Sequence, residues 1–152
     1  MATWAEFEAA EPEMAALGRA LLSNRNFQIG YLATVRKDGA PRVRPVCPVL
    51  AGEHIYLAIG PDSLKLGDLR RDGRYMLHAM PGNDDAEFSL RGRATEANDN
   101  ATHAEVEQAA ASVGLNVKSS EVIFRLGVEA AATARWVNAG QPGTYPVRRR
   151  WP

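Results

Sequence analysis

Residues Ile55–Leu69 read IYLAIGPDSLKLGDL, an apolar run that stops at a Gly-Pro pair before a second periodic segment begins. β-Branched and aromatic residues bounded by turn residues are typical of a strand, and we predict one over His54–Ile59. The turn Gly60–Ser63 ends that strand, and leucines at helical spacing follow it. We therefore predict a short helix over roughly Leu64–Arg71, with Ser63 available as its N-cap.

Further strands flank this segment. Phe27–Val35 and Arg42–Leu50 read as two strands joined by Asp38-Gly39, a dipeptide that favours a tight hairpin turn. Pro45 and Pro48 within the second run, and Pro41 just before it, indicate an edge or bulged strand, because proline cannot donate to a strand ladder. The other predicted elements are a helix from Glu11-Pro12 to Ser23–Asn26, strands at Tyr75–Met80, Phe88–Glu96 and Glu121–Leu126, a helix at Asn100–Val113, and Glu129–Val137, which either extends the last strand or pairs with it. Hairpins with a few helices indicate an antiparallel β-barrel.

Composition limits the class of protein. The chain has 152 residues, 45% of them hydrophobic and 24% charged, which suits one domain over residues 1–152. It has neither an apolar run near the roughly 18 residues of a membrane helix nor the basic start of a secretory signal. We therefore expect no membrane partner and a cytoplasmic location. Zero formal net charge gives no argument for a nucleic-acid partner, and one cysteine, Cys47, gives neither an internal disulfide nor a zinc cluster.

The turn that opens the predicted helix is a candidate anion site. Helix N-termini carry unpaired N–H groups and the positive end of the helix dipole, so they attract phosphate. Ser63 can donate a hydrogen bond to such an anion, and Lys65 adds a positive charge. The alternative is an ordinary helix that Ser63 caps without any ligand.

A second cationic feature lies in the proline-rich strand. Side chains alternate along a strand, so Arg42 and Arg44 share one face. Two guanidinium groups on one face repel each other unless solvent or an anion lies between them, and arginine suits bidentate phosphate contact. The pair therefore predicts either part of an anion site or a solvated face of the barrel.

The order of these segments resembles the pyridoxamine 5′-phosphate oxidase-like split-barrel flavoproteins. The motifs that carry the resemblance are Asp38-Gly39, Pro41–Val46, Ile55–Gly60, Ser63-Leu64-Lys65 and Asp68–Arg74. The resemblance implies a mainly β (α+β) fold, a six- to seven-stranded antiparallel split β-barrel with a few helices. It also implies a homodimer with one FMN at each of two sites built from both subunits.

The resemblance further implies which residues hold the cofactor. Arg44 or Arg42, together with Lys65, would neutralise the FMN phosphate, and Ser63 would donate a hydrogen bond to it. The partner subunit would supply the opposite wall, for which Trp136 is the candidate. The candidate cofactor-binding residues are Arg42, Arg44, Val46, Ala58, Ile59, Gly60, Ser63, Leu64, Lys65 and Trp136.

The expected activity is that of a flavin-dependent oxidoreductase acting on a small organic substrate, because the flavin itself carries the electron chemistry. The sequence assigns no catalytic residue, and its C-terminal Arg148–Trp151 lacks the substrate-phosphate signature of true pyridoxamine phosphate oxidases. One alternative is a deazaflavin-dependent reductase that uses a basic groove of Arg70, Arg71 and Arg74. Another is a non-catalytic module for flavin or haem, with His78 or His54 as the haem ligand.

Overall fold

The computed structural model describes residues 1–23 and 28–152, which form four helices and eight strands. The helices are α1 (Trp4–Ala10), α2 (Pro12–Leu22), α3 (Leu64–Arg71) and α4 (Asn100–Ser112). The strands are β1 (Gly30–Val35), β2 (Pro41–Val46), β3 (Val49–Ala51), β4 (His54–Ile59), β5 (Arg74–Ala79), β6 (Glu87–Glu96), β7 (Val122–Val137) and β8 (Tyr145–Trp151). The predicted turn at Asn24–Asn26 and the predicted strand start at Phe27 lie outside the described residues.

The strands form a single antiparallel sheet in the order β2-β1-β5-β6-β7-β4-β3, and β8 adds to the free part of β7. This confirms the mainly β split-barrel class. The described residues contain eight strands where six or seven were predicted, for two reasons. Cys47-Pro48 divides the run Arg42–Leu50 into β2 and β3, and the proline-containing tail forms β8.

The long strand β7 explains how the sheet is built. Its first half pairs with β4, from Val122 opposite Ile59, and its second half pairs with β8, from Ala131 opposite Trp151. The segment Glu129–Val137 therefore extends the predicted strand. Gly92 lies at a register shift between β6 and β7, which confirms the bulge or close backbone approach expected there.

The core is built from the inner faces of the strands and from the two N-terminal helices. Trp4 and Phe7, predicted to pack over the body of the fold, are buried and contact Phe88 of β6 edge-on or at a tilt. They lie on α1, whose Thr3 cap forms a reciprocal capping box with Glu6. A second, smaller cluster lies under α4 and includes Val106, Ala110, Tyr56 and Ile123.

Among the described residues, no helix is both long enough and apolar enough to cross a membrane.

Candidate functional site

A cavity of about 320 Å³ lies where β2, β4 and the start of α3 meet the loop between α4 and β7. Helix α3 forms one side of this cavity, and its bounds, Leu64–Arg71, agree with the prediction. Leu66 and Leu69 are buried and anchor α3 to the core, so its first turn stays at the end of β4. Six of the ten predicted cofactor residues line this cavity: Val46, Ala58, Ile59, Gly60, Ser63 and Lys65.

Ser63 occupies the N-cap position of α3, but its side chain makes no capping hydrogen bond. Its backbone carbonyl accepts a 2.9 Å hydrogen bond from the N–H of Leu66, so the helix begins here through the main chain alone. The first turn of α3 carries no acidic residue. The hydroxyl of Ser63 is therefore available to a ligand at a helix end that favours anions.

Lys65, which lines the cavity with Ser63, and Arg44, which acts electrostatically on Lys65, provide unneutralised positive charge. Among the described residues, neither forms an ion pair with a carboxylate. Burial lowers the pKa of Lys65, and repulsion from Arg44 lowers it further. The Arg44 guanidinium donates only to the carbonyl of Val43, at 3.0 Å. An anion placed between the two cations would relieve both the repulsion and the burial cost.

Arg42 is engaged elsewhere, although it shares a strand face with Arg44. Its Nε donates to Oδ2 of Asp68 at 2.7 Å, and the hydroxyl of Thr34 donates to the same oxygen at 2.9 Å. Arg71 donates to the other carboxylate oxygen at 3.1 Å. Burial opposes the ionisation of Asp68, but hydrogen bonds from Arg42, Thr34 and Arg71 hold its pKa below the ordinary value. Of the two predicted arginines, Arg44 is the one left free for a ligand.

Besides Arg42, three predicted residues do not line the cavity of their own chain: Arg44, Leu64 and Trp136. Leu64 is 65% exposed and points to a different groove, on the other side of α3. Trp136 lies near the end of β7 opposite Pro146, is half-buried, and has an indole N–H with no hydrogen-bond partner among the described residues.

The cavity also contains residues that sequence reasoning missed. Pro45, Cys47 and Val49 lie within three residues of Val46 along the chain, and proximity to a predicted site residue is the signal that could have identified them. Four others come from the α4–β7 loop, which carries no motif. The missed residues are Pro45, Cys47, Val49, Leu115, Asn116, Val117 and Glu121. Cys47 is an exposed residue, but partial desolvation of its thiol raises the pKa of that group, which favours the neutral form.

The basic group proposed for a deazaflavin tail is mostly paired. Arg70 donates twice to the carboxylate of Glu96, at 2.8 and 3.0 Å. Arg74 binds Asp72, and its hydrogen bonds lower the pKa of that carboxyl to about 2. Arg71 is held by Asp68. These arginines therefore act first as structural partners of neighbouring acids.

The histidines lie away from the cavity. His78 is half-buried on β5, and its Nδ1 lies 2.6 Å from the carbonyl oxygen of Ala79. A hydrogen bond there leaves Nε2 as the free ring nitrogen. Burial lowers the pKa of His54, and the positive charge of Arg125 adds to this effect.

Known proteins share this architecture. A family model described as pyridoxamine 5′-phosphate oxidase matches residues 18–138. No curated protein matches the sequence significantly.

Solved structures resemble the chain over most of its length. A haem-binding protein from Mycobacterium smegmatis aligns with a TM-score of 0.64 at 20% identity, over 90% of this chain and 58% of that chain. A putative pyridoxamine 5′-phosphate oxidase from Listeria innocua aligns with a TM-score of 0.62 at 17% identity, over 81% and 95% respectively. A general stress protein 26-related protein of the pyridoxinephosphate oxidase family, from Clostridium acetobutylicum, aligns at 0.60 and 12% identity, over 93% and 94%.

At these identities the structural likeness establishes the fold alone. The family model adds a match in sequence that covers most of the chain, from α2 to the end of β7. This sequence match shows that the chain belongs to the pyridoxamine 5′-phosphate oxidase family.

Proposed function

We propose that the cavity binds FMN and that the protein is a flavin-dependent oxidoreductase acting on a small organic substrate. The observation that carries the proposal is the uncapped Ser63 hydroxyl and Lys65 on the cavity wall at the start of α3, with the unpaired Arg44 near enough to lower the pKa of Lys65. Charged hydrogen bonds to a phosphate would satisfy all three groups at once. Family membership supports a flavin as the molecule that brings the phosphate.

The rest of the cavity suits the remainder of such a ligand. The end of β4, Ala58–Gly60, provides one wall, and Val46 of β2 provides an apolar contact beside it. Ser63 would hold the phosphate end of the ligand, and the β4 backbone at Ala58–Gly60 would contact its ribityl chain. A bound flavin supplies the electron chemistry, and the chain's own residues bind, orient and shield it.

A homodimer would complete this site, and the outer face of the sheet supports one. Tyr31, Val43 and Met76 are 44–51% exposed there. Register places Val43 and Met76 on either side of Ala33, and places Pro45, a cavity residue, directly opposite Tyr31. An exposed apolar patch of this kind is typical of an interaction surface. The proposed subunit interface therefore runs up to the cavity mouth.

Trp136 fits a role in that interface. Register aligns Tyr31 with His78, His78 with Ser89, and Ser89 with Ala132 across four strands. Trp136 lies four residues beyond Ala132 on β7, so strand alternation places it on the same outer face. We therefore keep Trp136 as the residue that the partner would contribute. The expected cytoplasmic location likewise stays a prediction.

Titration of the apoprotein with FMN and with riboflavin tests the proposal. Riboflavin lacks the phosphate but keeps the ring and ribityl chain, so it isolates the contribution of Ser63, Lys65 and Arg44. We expect FMN to bind at least about tenfold more tightly than riboflavin. Quenching of flavin fluorescence measures the binding of both compounds. Equal affinities, or no binding of either compound, would contradict the phosphate site.

Haem binding is a second candidate function, favoured by the geometry of His78. A histidine whose Nδ1 is fixed by a backbone carbonyl presents Nε2 in the orientation typical of a metal ligand. Its neighbours on the outer face, Tyr31 and Met76, provide apolar surface for a macrocycle. Absorption spectra decide between the candidates. Haem binding predicts a Soret band that shifts in His78→Ala, and a Soret band that stays the same in His78→Ala would contradict His78 as the ligand.

The deazaflavin alternative has less support. Two of the three arginines proposed for its acidic tail, Arg70 and Arg74, pair with Glu96 and Asp72. A ligand that recruited them would have to break those contacts.

A further inference from the structure

A second cavity, of about 660 Å³, lies between α2 and the two-stranded ribbon that β8 forms with the second half of β7. We call it the ribbon cavity. Its apolar lining residues are Met14, Ala16, Leu17 and Ala20 of α2, with Val137 and Val147 of the ribbon. A concave site of this size, lined mainly by apolar side chains with a few polar groups, is typical of small-molecule binding.

Strand alternation determines which ribbon side chains face α2. Thr133, Arg135 and Val137 occupy every second position of β7, so they share one face, and all three line the ribbon cavity. Trp136 lies on the opposite face, where we place the proposed subunit interface. The ribbon cavity is therefore on the side of the ribbon that faces away from the proposed partner subunit.

Small side chains on α2 provide the space in this cavity. Ala16 and Ala20 are four residues apart, so they lie one above the other on the helix surface, and both are exposed. On the ribbon, Val137 and Val147 are 36% and 48% exposed. A ligand with an apolar body would remove these side chains from water, which is favourable.

Thr133 places a buried polar group in these apolar surroundings. The residue is only 8% exposed, and its hydroxyl makes no hydrogen bond among the described side chains. A buried hydroxyl without a partner costs free energy. A ligand oxygen in the cavity would give this hydroxyl an acceptor.

The charges around the ribbon cavity favour an anionic headgroup. Arg149 donates to the carboxylates of Glu13 and Glu11, at 2.6 and 2.8 Å, so both acids already have a cation. Arg135 lines the same cavity and has no carboxylate partner among the described residues. Arg135 is therefore the charge that is available to a ligand, and a guanidinium group suits a carboxylate.

We propose that the ribbon cavity binds an amphipathic carboxylic acid, a molecule with one carboxylate and an apolar body. The carboxylate would accept hydrogen bonds from Arg135 and from the hydroxyl of Thr133. The apolar body would lie along Ala16 and Ala20. This site is independent of the proposed flavin site, because the two cavities share no lining residue.

Calorimetric titration with decanoate and with decylammonium, both below the concentrations at which they form micelles, tests this inference. The two probes share an apolar chain and carry opposite charges. We expect decanoate to bind at least about tenfold more tightly than decylammonium, because only the carboxylate can pair with Arg135. Arg135→Gln should weaken decanoate at least about fivefold. Arg148→Gln removes the same charge from the opposite face of the ribbon and should change its affinity less than about twofold.

A second variant fills the cavity. Ala20→Leu enlarges an exposed side chain on α2, and leucine is a good helix former, so the fold should survive. We expect this variant to weaken decanoate at least about tenfold and to leave FMN affinity unchanged. The matched control is Ala101→Leu, the same change at an exposed position on α4, which should leave decanoate affinity unchanged.

Four results would overturn the inference. The first is no binding of decanoate to the wild-type protein, and the second is binding of decylammonium as tightly as decanoate. The third is an equal effect of Arg135→Gln and Arg148→Gln, and the fourth is full decanoate affinity in Ala20→Leu. None of these results affects the FMN and riboflavin titrations, so the proposed function stands or fails separately.

Discussion

The Nε atom of Arg42 lies 2.7 Å from Oδ2 of Asp68, in an ion pair whose two side chains are 16% and 5% exposed. This contact joins β2 to α3 across 26 positions in the chain. Arg44, two residues along the same strand, has no such partner among the described residues and is exposed. Two arginines that look equivalent in sequence therefore have different roles. Arg42 stabilises the fold, and Arg44 is available to a ligand at the candidate site.

Arg42→Ala should destabilise the protein much more than Arg44→Ala. Arg42→Ala removes a charged hydrogen bond from the buried Asp68 carboxylate, which keeps only its contacts with Arg71 and Thr34, and we expect a loss of about 1.5–3 kcal/mol in the free energy of unfolding. Arg44→Ala removes an exposed side chain and should change that free energy by less than about 0.5 kcal/mol. Chemical denaturation of the two apoproteins measures the difference. Equal effects would contradict the separate roles.

Asp68 should make stability dependent on acid pH. Its folded pKa lies below the ordinary value of 3.8, so the carboxylate stabilises the fold above that value. The contribution is lost as the pH falls through the lower folded pKa. The unfolding free energy of the wild type should therefore fall more steeply than that of Asp68→Asn, measured from about pH 6 to about pH 3. Parallel pH profiles would be evidence against this role for Asp68.

Gly92→Ala should disrupt the β6–β7 pairing. A Cβ at this position would collide with the carbonyl oxygen of Gly127, which is backbone and cannot rotate away. We expect a loss of about 3 kcal/mol in unfolding free energy. Gly67→Ala is the matched control, because a Cβ there meets no atom within 4 Å and α3 should gain about 0.5–1 kcal/mol. Thermal unfolding of both variants gives the comparison, and a Gly92→Ala protein as stable as the wild type would be unexpected.

Met76→Glu should weaken the proposed homodimer. The side chain is 45% exposed on the outer apolar face, and two copies would bury a carboxylate there. Tyr145→Glu, at a residue 54% exposed on β8, places the same charge outside that face and should leave the dimer intact. Sedimentation velocity measures both. A wild-type protein that sediments as a monomer would exclude the interface.

Local sequence signals predicted much of the fold. The bounds of α3 agree with the prediction because a Gly-Pro turn precedes it and Asp72-Gly73 follows it, and both signals act within a few residues. The division of β2 from β3 was missed, although Cys47-Pro48 marks it. The length of β7 was left open because it depends on β4 and β8, which pair with different halves of it.

The part of the candidate site that is built from residues close together in the sequence was predictable. Ser63 and Lys65 lie within one turn of helix, and strand β4 leads directly into them. The choice between Arg42 and Arg44 depended on Asp68, a partner that only the folded chain brings close. The α4–β7 loop, with Leu115 among its residues, reaches the cavity through packing of α4, for which no sequence motif exists.

The most direct test of the central claim is FMN affinity in the double variant Lys65→Ala with Arg44→Ala. Each charged hydrogen bond contributes roughly 1.5–3 kcal/mol, so the dissociation constant should rise by about two orders of magnitude or more. Arg74→Ala with Arg135→Ala removes the same charge elsewhere and should leave the affinity within about threefold. If Lys65→Ala with Arg44→Ala binds FMN as tightly as the wild type, α3 does not hold the flavin phosphate.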